Sequence, residues 1–308
     1  GTGNALTITT PAATATAAQL NTINAATTIA VNAAATTGIE ATSSFADINT
    51  LYTAAAAGEI TGLGNEPITP GVAVTVAQAN SLVGFTTGLV TATISDGDIA
   101  TLSGLVTDTE ADGTTAFPNA LTITVTDTTV SAAALNTLDA KTTIDVDATA
   151  TTTLTGTLTD VIAAYAADAA GATVNLDGNE AVTISDTGVI DAANVNTVNT
   201  ETSGVVTLSG VTGLTGTAAA VTAAFTANAA GEVTGLALVT GSTVADGITA
   251  TVTDASVAAE TLEAIDAQTT GLVTVTGAAI EGNFTDVKAV LDASRLATPT
   301  ISGLSAIN

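Results

Sequence analysis

Carboxylates are the most abundant side chains in this sequence that could do chemistry. There are 29 acidic residues and three basic ones, with no histidine and no cysteine. Histidine and cysteine are the usual general bases, nucleophiles and ligands of zinc, iron and copper, so none of these chemistries is expected. Paired carboxylates can hydrolyse glycosidic bonds, but aromatic residues that would bind a sugar make up only 2% of the chain. The sequence therefore predicts that the protein is not an enzyme, with a carbohydrate-active enzyme as the weak alternative.

Some of the acidic residues lie close enough in sequence to bind a hard cation, and oxygen ligands are those that calcium prefers. The candidate calcium ligands are Asp96 with Asp98, Asp145 with Asp147, and Asp177 in an Asp-Gly-Asn segment. The same residue types are common in solvated turns, which is the alternative interpretation and the favoured one. No cofactor is certain from the sequence, and calcium is the only candidate.

The formal net charge of −26 limits the expected partners. Nucleic acids and anionic membrane surfaces both attract clustered lysines and arginines, whereas this chain has only Lys141, Lys288 and Arg295. Polar residues interrupt every apolar run before it reaches the length of a membrane span, so no membrane insertion is expected. The expected partners are copies of the chain itself. Glycans are a further candidate, because Asn283-Phe284-Thr285 is a glycosylation sequon. The favoured interpretation of this segment is a buried helix start.

A repeat of about 60 residues organises the sequence. Its first motif reads Leu-Asn-Thr-Leu-Asp-Ala at residues 135–140, and related segments begin at residues 20, 79, 195 and 262. Successive copies are 59, 56, 60 and 67 residues apart, and the longest spacing is attributed to a loop insertion at residues 235–246. A Thr-Thr or Thr-Ser pair follows every copy. The first residues of these pairs are Thr27, Thr86, Thr142, Thr202 and Thr269.

A second motif is an apolar triplet with spacing i, i+3, i+7, which lines one face of a helix. Most of the aromatic residues are in these triplets, so the triplets are predicted to be core anchors. Three of them run into Ala-Ala-Gly, which predicts helix ends at Gly58, Gly171 and Gly231. The triplets are Phe45, Ile48 and Tyr52; Leu158, Val161 and Tyr165; Ala218, Val221 and Phe225; and Phe284, Val287 and Leu291.

Apolar residues alternate with threonine between the helical segments, as at Leu121 and Ile123, and this period of two predicts strands. One repeat then reads strand, helix, strand, helix. The predicted fold is an α/β tandem-repeat solenoid of strand–helix units with five copies of the double repeat. A string of small β-rich, sandwich-like domains is the alternative. Residues 107–119 read as a linker between N-terminal repeats 1–2 (1–106) and C-terminal repeats 3–5 (120–308).

Aspartates follow three of the predicted strands directly, at Asp127, Asp186 and Asp254. An aspartate before a helix accepts hydrogen bonds from the free N–H groups of the first turn and favours the positive end of the helix dipole. Helix capping is therefore the favoured role of this series. A calcium ladder along one edge of the fold is the alternative role.

These segments together resemble a known group of proteins. Ile-Thr-Val-Thr-Asp at 123–127, Leu-Asn-Thr-Leu-Asp-Ala at 135–140 and Leu-Thr-Gly-Thr at 154–157 are similar to the Ala/Thr/Val/Asp-rich tandem repeats of large bacterial, cyanobacterial-type extracellular surface, adhesin or surface-layer-like proteins. The resemblance implies an extracellular or cell-surface location. It does not extend to the Gly- and Asp-rich nonapeptides of calcium-binding RTX β-rolls.

The ends of the repeat array carry no obvious polar cap. Apolar alternation begins at Leu6 and Ile8, and a Thr-Ile-Ser-Gly-Leu segment occupies residues 300–304. Uncapped ends of a repeat array tend to associate, and a head-to-tail contact that does not close produces a filament. The expected function is an extracellular structural protein that self-assembles into a filament or surface layer, end to end or by strand addition. An adhesin stalk segment of a larger secreted protein is the alternative.

Overall fold

The computed structural model describes residues 4–109, 116–117, 119–169, 173–238, 243–277, 279–296, 298–304 and 306–307. Within these residues the chain is α/β, with parallel sheets and ten helices. The helices are α1 (Ala17–Ala25), α2 (Phe45–Ala56), α3 (Val76–Phe85), α4 (Ile99–Leu102), α5 (Ala132–Asp139), α6 (Leu158–Asp168), α7 (Ala192–Glu201), α8 (Ala218–Ala230), α9 (Ala259–Asp266) and α10 (Phe284–Ser294).

The strands are short, from two to six residues. They are β1 (Thr14–Ala15), β2 (Val31–Asn32), β3 (Gly38–Ser43), β4 (Ile60–Thr61), β5 (Ile68–Pro70), β6 (Thr91–Thr93), β7 (Asp108–Thr109), β8 (Ala116–Phe117), β9 (Ala120–Thr122), β10 (Thr129–Ser131), β11 (Val146–Asp147), β12 (Thr153–Gly156), β13 (Val174–Asn175), β14 (Ala181–Ile184), β15 (Gly188–Asp191), β16 (Val206–Leu208), β17 (Val211–Gly216), β18 (Val233–Thr234), β19 (Thr249–Val252), β20 (Ser256–Ala258), β21 (Val273–Val275), β22 (Ala279–Glu281), β23 (Ile301–Ser302) and β24 (Ala306–Ile307).

Local side chains explain where the helices begin and end. Thr16 and Thr75 form capping boxes with the glutamines three residues on, and Thr217 accepts the N–H of Ala220. Gly231 ends α8 in the left-handed conformation at φ 82°, which confirms the predicted glycine cap. Gly58 follows α2 with φ 77°, whereas Gly171 lies outside the described residues. Helices were predicted at all four apolar triplets, and α2, α6, α8 and α10 confirm them.

Strands pair in parallel with strands about 23 to 36 residues away, across an intervening helix or loop. Such a crossover is what a parallel pair requires. Two five-stranded sheets show the pattern, with the orders β10-β12-β14-β16-β18 and β15-β17-β19-β21-β23. Each sheet aligns one apolar residue per strand in a buried column. The columns contain Val130, Leu154, Val182, Val206 and Val233, and Ile190, Leu214, Ala250, Val273 and Ile301.

The residues at which such columns begin are spaced like the first sequence motif. Each of these residues lies just before one helix and pairs with a residue just before the following helix, as in Val130 with Leu154 and Val257 with Ile280. Their spacings are 59, 56, 60 and 67 residues, the same as those of the motif. The five starting residues are Ala15, Val74, Val130, Ile190 and Val257.

Two compact units divide the chain. The first comprises Gly1–Asp127, Ala134–Ala150 and Ala167–Leu176, and the second comprises Thr128–Ala133, Thr151–Ala166 and Asp177–Asn308. The predicted linker contains the one antiparallel strand pair of the described residues, β7 with β8, and its residues 110–115 and 118 lie outside them. The predicted strand at Leu121 is confirmed as β9, where Leu121 is buried and pairs with Ala92, whereas Ile123 is buried just beyond the end of β9.

The five threonines that follow the first motif are buried, and they connect neighbouring turns of the chain. Thr202 is representative: its hydroxyl donates to the Glu180 carbonyl at 2.7 Å and accepts the Gly204 N–H at 2.9 Å. Valine has the same shape but cannot make these bonds, which explains why this position is threonine in every copy. The corresponding acceptors are the carbonyls of Leu6 for Thr27, Glu66 for Thr86, Leu121 for Thr142 and Ile248 for Thr269.

Replacing Thr202→Val should lower the free energy of unfolding by about 1–3 kcal/mol, because two buried backbone groups lose a partner. Thr183→Val, an exposed change on β14, is the matched control and should stay within about 0.5 kcal/mol. Urea unfolding followed by circular dichroism measures both. Equal urea midpoints for the two variants would show that the hydrogen bonds of the Thr202 hydroxyl do not stabilise the fold.

Candidate functional site

The aspartates that follow strands cap helices, as the sequence predicted, but not the helices that come next. Each carboxylate reaches back to the first residue of the preceding helix. Parallel pairing causes this. Two paired strands end side by side, and the earlier strand leads into a helix. The aspartate that follows the later strand therefore lies beside the N-terminus of that helix. The N···O distances are 2.6 Å from Ile99 to Asp127, 2.7 Å from Leu158 to Asp186 and 2.7 Å from Ala218 to Asp254.

Two of the candidate calcium ligands also cap helices, Asp96 by reaching back to the preceding helix and Asp98 at the start of the helix that follows it. Asp96 accepts the N–H of Val76 at 2.6 Å, at the start of α3. Asp98 is the N-cap of α4 and accepts the N–H of Thr101 at 2.9 Å. Hydrogen bonds from Thr101 hold the pKa of Asp98 below its usual value. These neighbouring carboxylates are therefore directed to the ends of two different helices.

The other three candidates are not gathered into a cation cage. Asp145 is exposed, and Asp147 accepts the N–H and the hydroxyl of Thr149 at 3.2 and 2.7 Å. Asp177 is exposed in a turn whose backbone faces Glu180. Across the described residues no cluster of three or more acidic groups has the arrangement of a metal site.

The most deeply buried carboxylates were not singled out by the sequence. Glu180 is fully buried, and its Oε2 accepts the hydroxyl of Tyr165 at 3.1 Å. Its Oε1 accepts the N–H groups of Asp177 and Gly178 at 2.8 and 3.0 Å. A buried carboxylate is costly unless it is hydrogen-bonded, and here three donors surround it. The carboxylate therefore organises the 177–180 turn around itself.

A second pair has the same construction. Tyr52 donates its hydroxyl to Glu66, which is buried and also accepts the N–H groups of Gly64 and Asn65 at 2.9 and 3.1 Å. The Tyr52 ring stacks on Phe85 with centroids 4.9 Å apart. Both tyrosines of the chain are used in this way. The signal that could have revealed the pairs is Gly-Asn-Glu, at 64–66 and 178–180, shortly after a helix that contains a tyrosine.

The apolar triplet of α10 is open to solvent, unlike its counterparts. Phe284 is 85% exposed, whereas Leu158 of α6 and Ala218 of α8 are 5% and 6% exposed. Val287 and Leu291 are only half-buried. The prediction of Phe284 as a buried core anchor is therefore wrong. The physical reason is packing: α8 lies against both α7 and α9, whereas α10 packs on α9 and β23.

The sequon at the start of α10 has a structural role. Asn283 is the N-cap residue, and its Oδ1 accepts the N–H groups of Thr285 and Asp286 at 2.9 and 3.1 Å. Its Nδ2 donates to the Asp286 carboxylate at 2.6 Å. The predicted helix start is confirmed, with both ends of the Asn283 amide engaged.

An apolar groove lies beside α1 and the edge strand β1. Its volume is about 540 Å³. The lining residues include Pro11, Ala13, Ala15, Ala18 and Ile23. Among the residues that the structure describes, β1 pairs only with β3, and no further strand covers the groove on that side.

Comparison with known proteins returns no match. No protein-family model fits the chain, and no curated protein or solved structure matches it. Among the described residues, no helix has both the length and the apolar character needed to cross a membrane. Function must therefore be inferred from the contacts of the chain itself.

Removing one capping carboxylate tests the strand-to-helix bonds. Asp186→Ala should lower the unfolding free energy by about 0.5–2 kcal/mol, because the first N–H of α6 loses its acceptor. Asp177→Ala, at an exposed candidate calcium ligand, should change it by less than about 0.5 kcal/mol. Thermal unfolding compares the two, and a larger loss for Asp177→Ala would contradict the assignment of roles.

Alkaline titration tests the buried tyrosine pair. Burial, and then the hydrogen bond and charge of Glu66, raise the pKa of Tyr52 above the ordinary tyrosine value of about 10. The unfolded chain loses this proton above about pH 10 while the native chain keeps it, so stability falls as the pH rises past that value. In a Tyr165→Phe variant, phenolate absorbance should stay absent at about pH 11 until the protein unfolds. Ionisation of the folded protein near pH 10 would contradict the burial of Tyr52.

Proposed function

We propose that this chain is an extracellular structural protein, a tandem-repeat solenoid of strand–helix units that self-assembles end to end into a filament or surface layer. The single observation that carries the proposal is the open face of α10, where Phe284 is exposed although the same position is buried in α6 and α8. A large exposed apolar side chain in a repeat position marks a surface that another element covers.

The use of the carboxylates supports a structural role. Asp127, Asp186 and Asp254 hold helix N-termini, and the buried Glu66 and Glu180 hold turns. These groups stabilise the repeat itself and are already occupied by backbone donors. The resemblance to bacterial surface repeats supports the extracellular or cell-surface location.

The buried columns support assembly through repeat ends. Each strand in the column of Val130 or Ile190 is covered by the next strand along, so burial is supplied between neighbouring turns of the chain. In repeat proteins with this kind of nearest-neighbour packing, an end without a neighbour exposes apolar surface. A second copy of the chain supplies that neighbour in the proposed assembly.

Negative-stain electron microscopy and sedimentation velocity test the assembly. Particles should lengthen as protein concentration rises. Raising salt from about 0.01 M to about 0.15 M should favour assembly, because it screens repulsion between copies with a charge of −26. Monodisperse particles of single-chain mass at every concentration would sink the proposal. They would favour an adhesin stalk, in which the open face is covered by a further repeat of a longer polypeptide.

A further inference from the structure

We infer that Phe284 of one copy docks in the α1–β1 groove of a second copy, against the turn formed by Pro11–Ala13. The register is the one in which α4, α6 and α8 meet the following repeat within the chain. This inference rests on the proposed end-to-end assembly and specifies its contact.

Five junctions within the chain define the geometry. At each one, a backbone N–H donates to the carbonyl two residues before a helix, and the residue after that donor stands at the cap position beside the helix start. At four of them the cap position holds an aspartate, which binds the first N–H of the helix. The backbone pairs are Gly71 to Ser43, Ser95 to Val74, Thr126 to Gly97, Ser185 to Gly156 and Thr253 to Gly216, at 2.8 to 3.0 Å.

The first helical residue and the cap position vary together. Where the cap is aspartate, the helix begins with an aliphatic residue, namely Val76, Ile99, Leu158 or Ala218. The α2 junction differs at both positions, because α2 begins with Phe45 and the cap position holds Val72. At this one junction a ring at the helix start goes with an apolar residue at the cap position. The physical reason is that a carboxylate beside a ring would be desolvated without gaining a further donor.

The helix α10 also begins with a phenylalanine, and Phe284 is 85% exposed. By analogy with the α2 junction, we expect its matching turn to lack aspartate. The turn before β1 fulfils this requirement: α1 and α3 start 59 residues apart, which places Ala13 where Val72 stands before α3. Ala13 also lines the apolar groove. The ring of Phe284 would thus meet the small side chain of Ala13.

Charge favours the same pairing. Residues 1–39 contain no ionisable side chain, and residues 282–308 contain two acids and two bases. Residues 40–281 hold the other 27 acids and Lys141, so the whole net charge of −26 lies between these two segments. Lys288 follows Phe284 at position i+4, on the same side of α10, and pairs with Asp292. Contact between residues 1–39 of one copy and residues 282–308 of another therefore avoids the repulsion between surfaces that carry a net charge.

Helix packing supplies the second part of the contact. Within the chain, α8 packs against α9 of the following repeat, and α2 packs against α3. In the proposed contact α1 of the second copy takes this place on α10. It would cover Val287 and Leu291, the half-buried members of the triplet.

Paired substitutions on the two faces test the contact. Phe284→Ala and Ala13→Asp should each raise the concentration needed for assembly by about tenfold or more, since the first removes a buried ring and the second places an acid beside it. Val189→Ala is the matched control, because it trims a side chain that is also exposed but lies in β15. Thermal unfolding of each variant confirms that it folds.

Cross-linking reads the register directly, because the natural chain has no cysteine. A Lys288→Cys chain mixed with an Ala18→Cys chain should give covalent dimers with a short bis-maleimide. A Lys288→Cys chain mixed with a Thr226→Cys chain, whose cysteine lies on the exposed side of α8, should give no covalent dimers. If the wild-type chain assembles and neither Phe284→Ala nor Ala13→Asp changes the concentration needed for assembly, the inference is overturned and the proposed function stands. If the wild-type chain stays monomeric at all concentrations, both the inference and the proposed function are overturned.

Discussion

Parallel pairing between strands separated by a helix or loop is the constraint on which the structure depends. It places equivalent residues of successive turns side by side, so that one apolar residue per strand builds a buried column from valine, leucine, isoleucine and alanine alone. Small aliphatic side chains are sufficient because each strand inside a sheet is covered by a neighbour on both sides. The same pairing brings the end of a later strand to the start of an earlier helix, which creates the aspartate caps.

A core of small residues leaves many backbone groups close to the centre of the fold, and buried backbone groups need partners. Side chains from neighbouring turns supply them. Thr202 bonds the backbone at two points, and Glu180 gathers two N–H groups and a tyrosine hydroxyl. Buried polar residues such as these therefore connect turns of the chain.

Periodicity in the sequence predicts the elements that local forces control. The triplets at α2, α6 and α8, the alternating strands and the glycine cap at Gly231 follow from side-chain spacing and backbone preference. The sequence could not show which helix Asp186 caps, because that depends on the pairing of strands. Glu66 and Glu180 were missed because their only sign of burial is the recurrence of Gly-Asn-Glu after a helix that contains a tyrosine. Phe284 was placed in the core because its spacing is that of buried residues, whereas its exposure depends on a neighbour that the spacing does not describe.

The shortness of the strands has a consequence for how such a protein survives at high concentration. Chains rich in valine and threonine are prone to form amyloid when they offer long, flat strands as templates. Here the strands at the ends of the sheets, such as β1, β10 and β20, are two or three residues long. Each is followed directly by a helix, which limits the stretch of backbone open to a foreign strand. Dividing the sheet surface into brief segments lets a β-prone composition stay in its native packing.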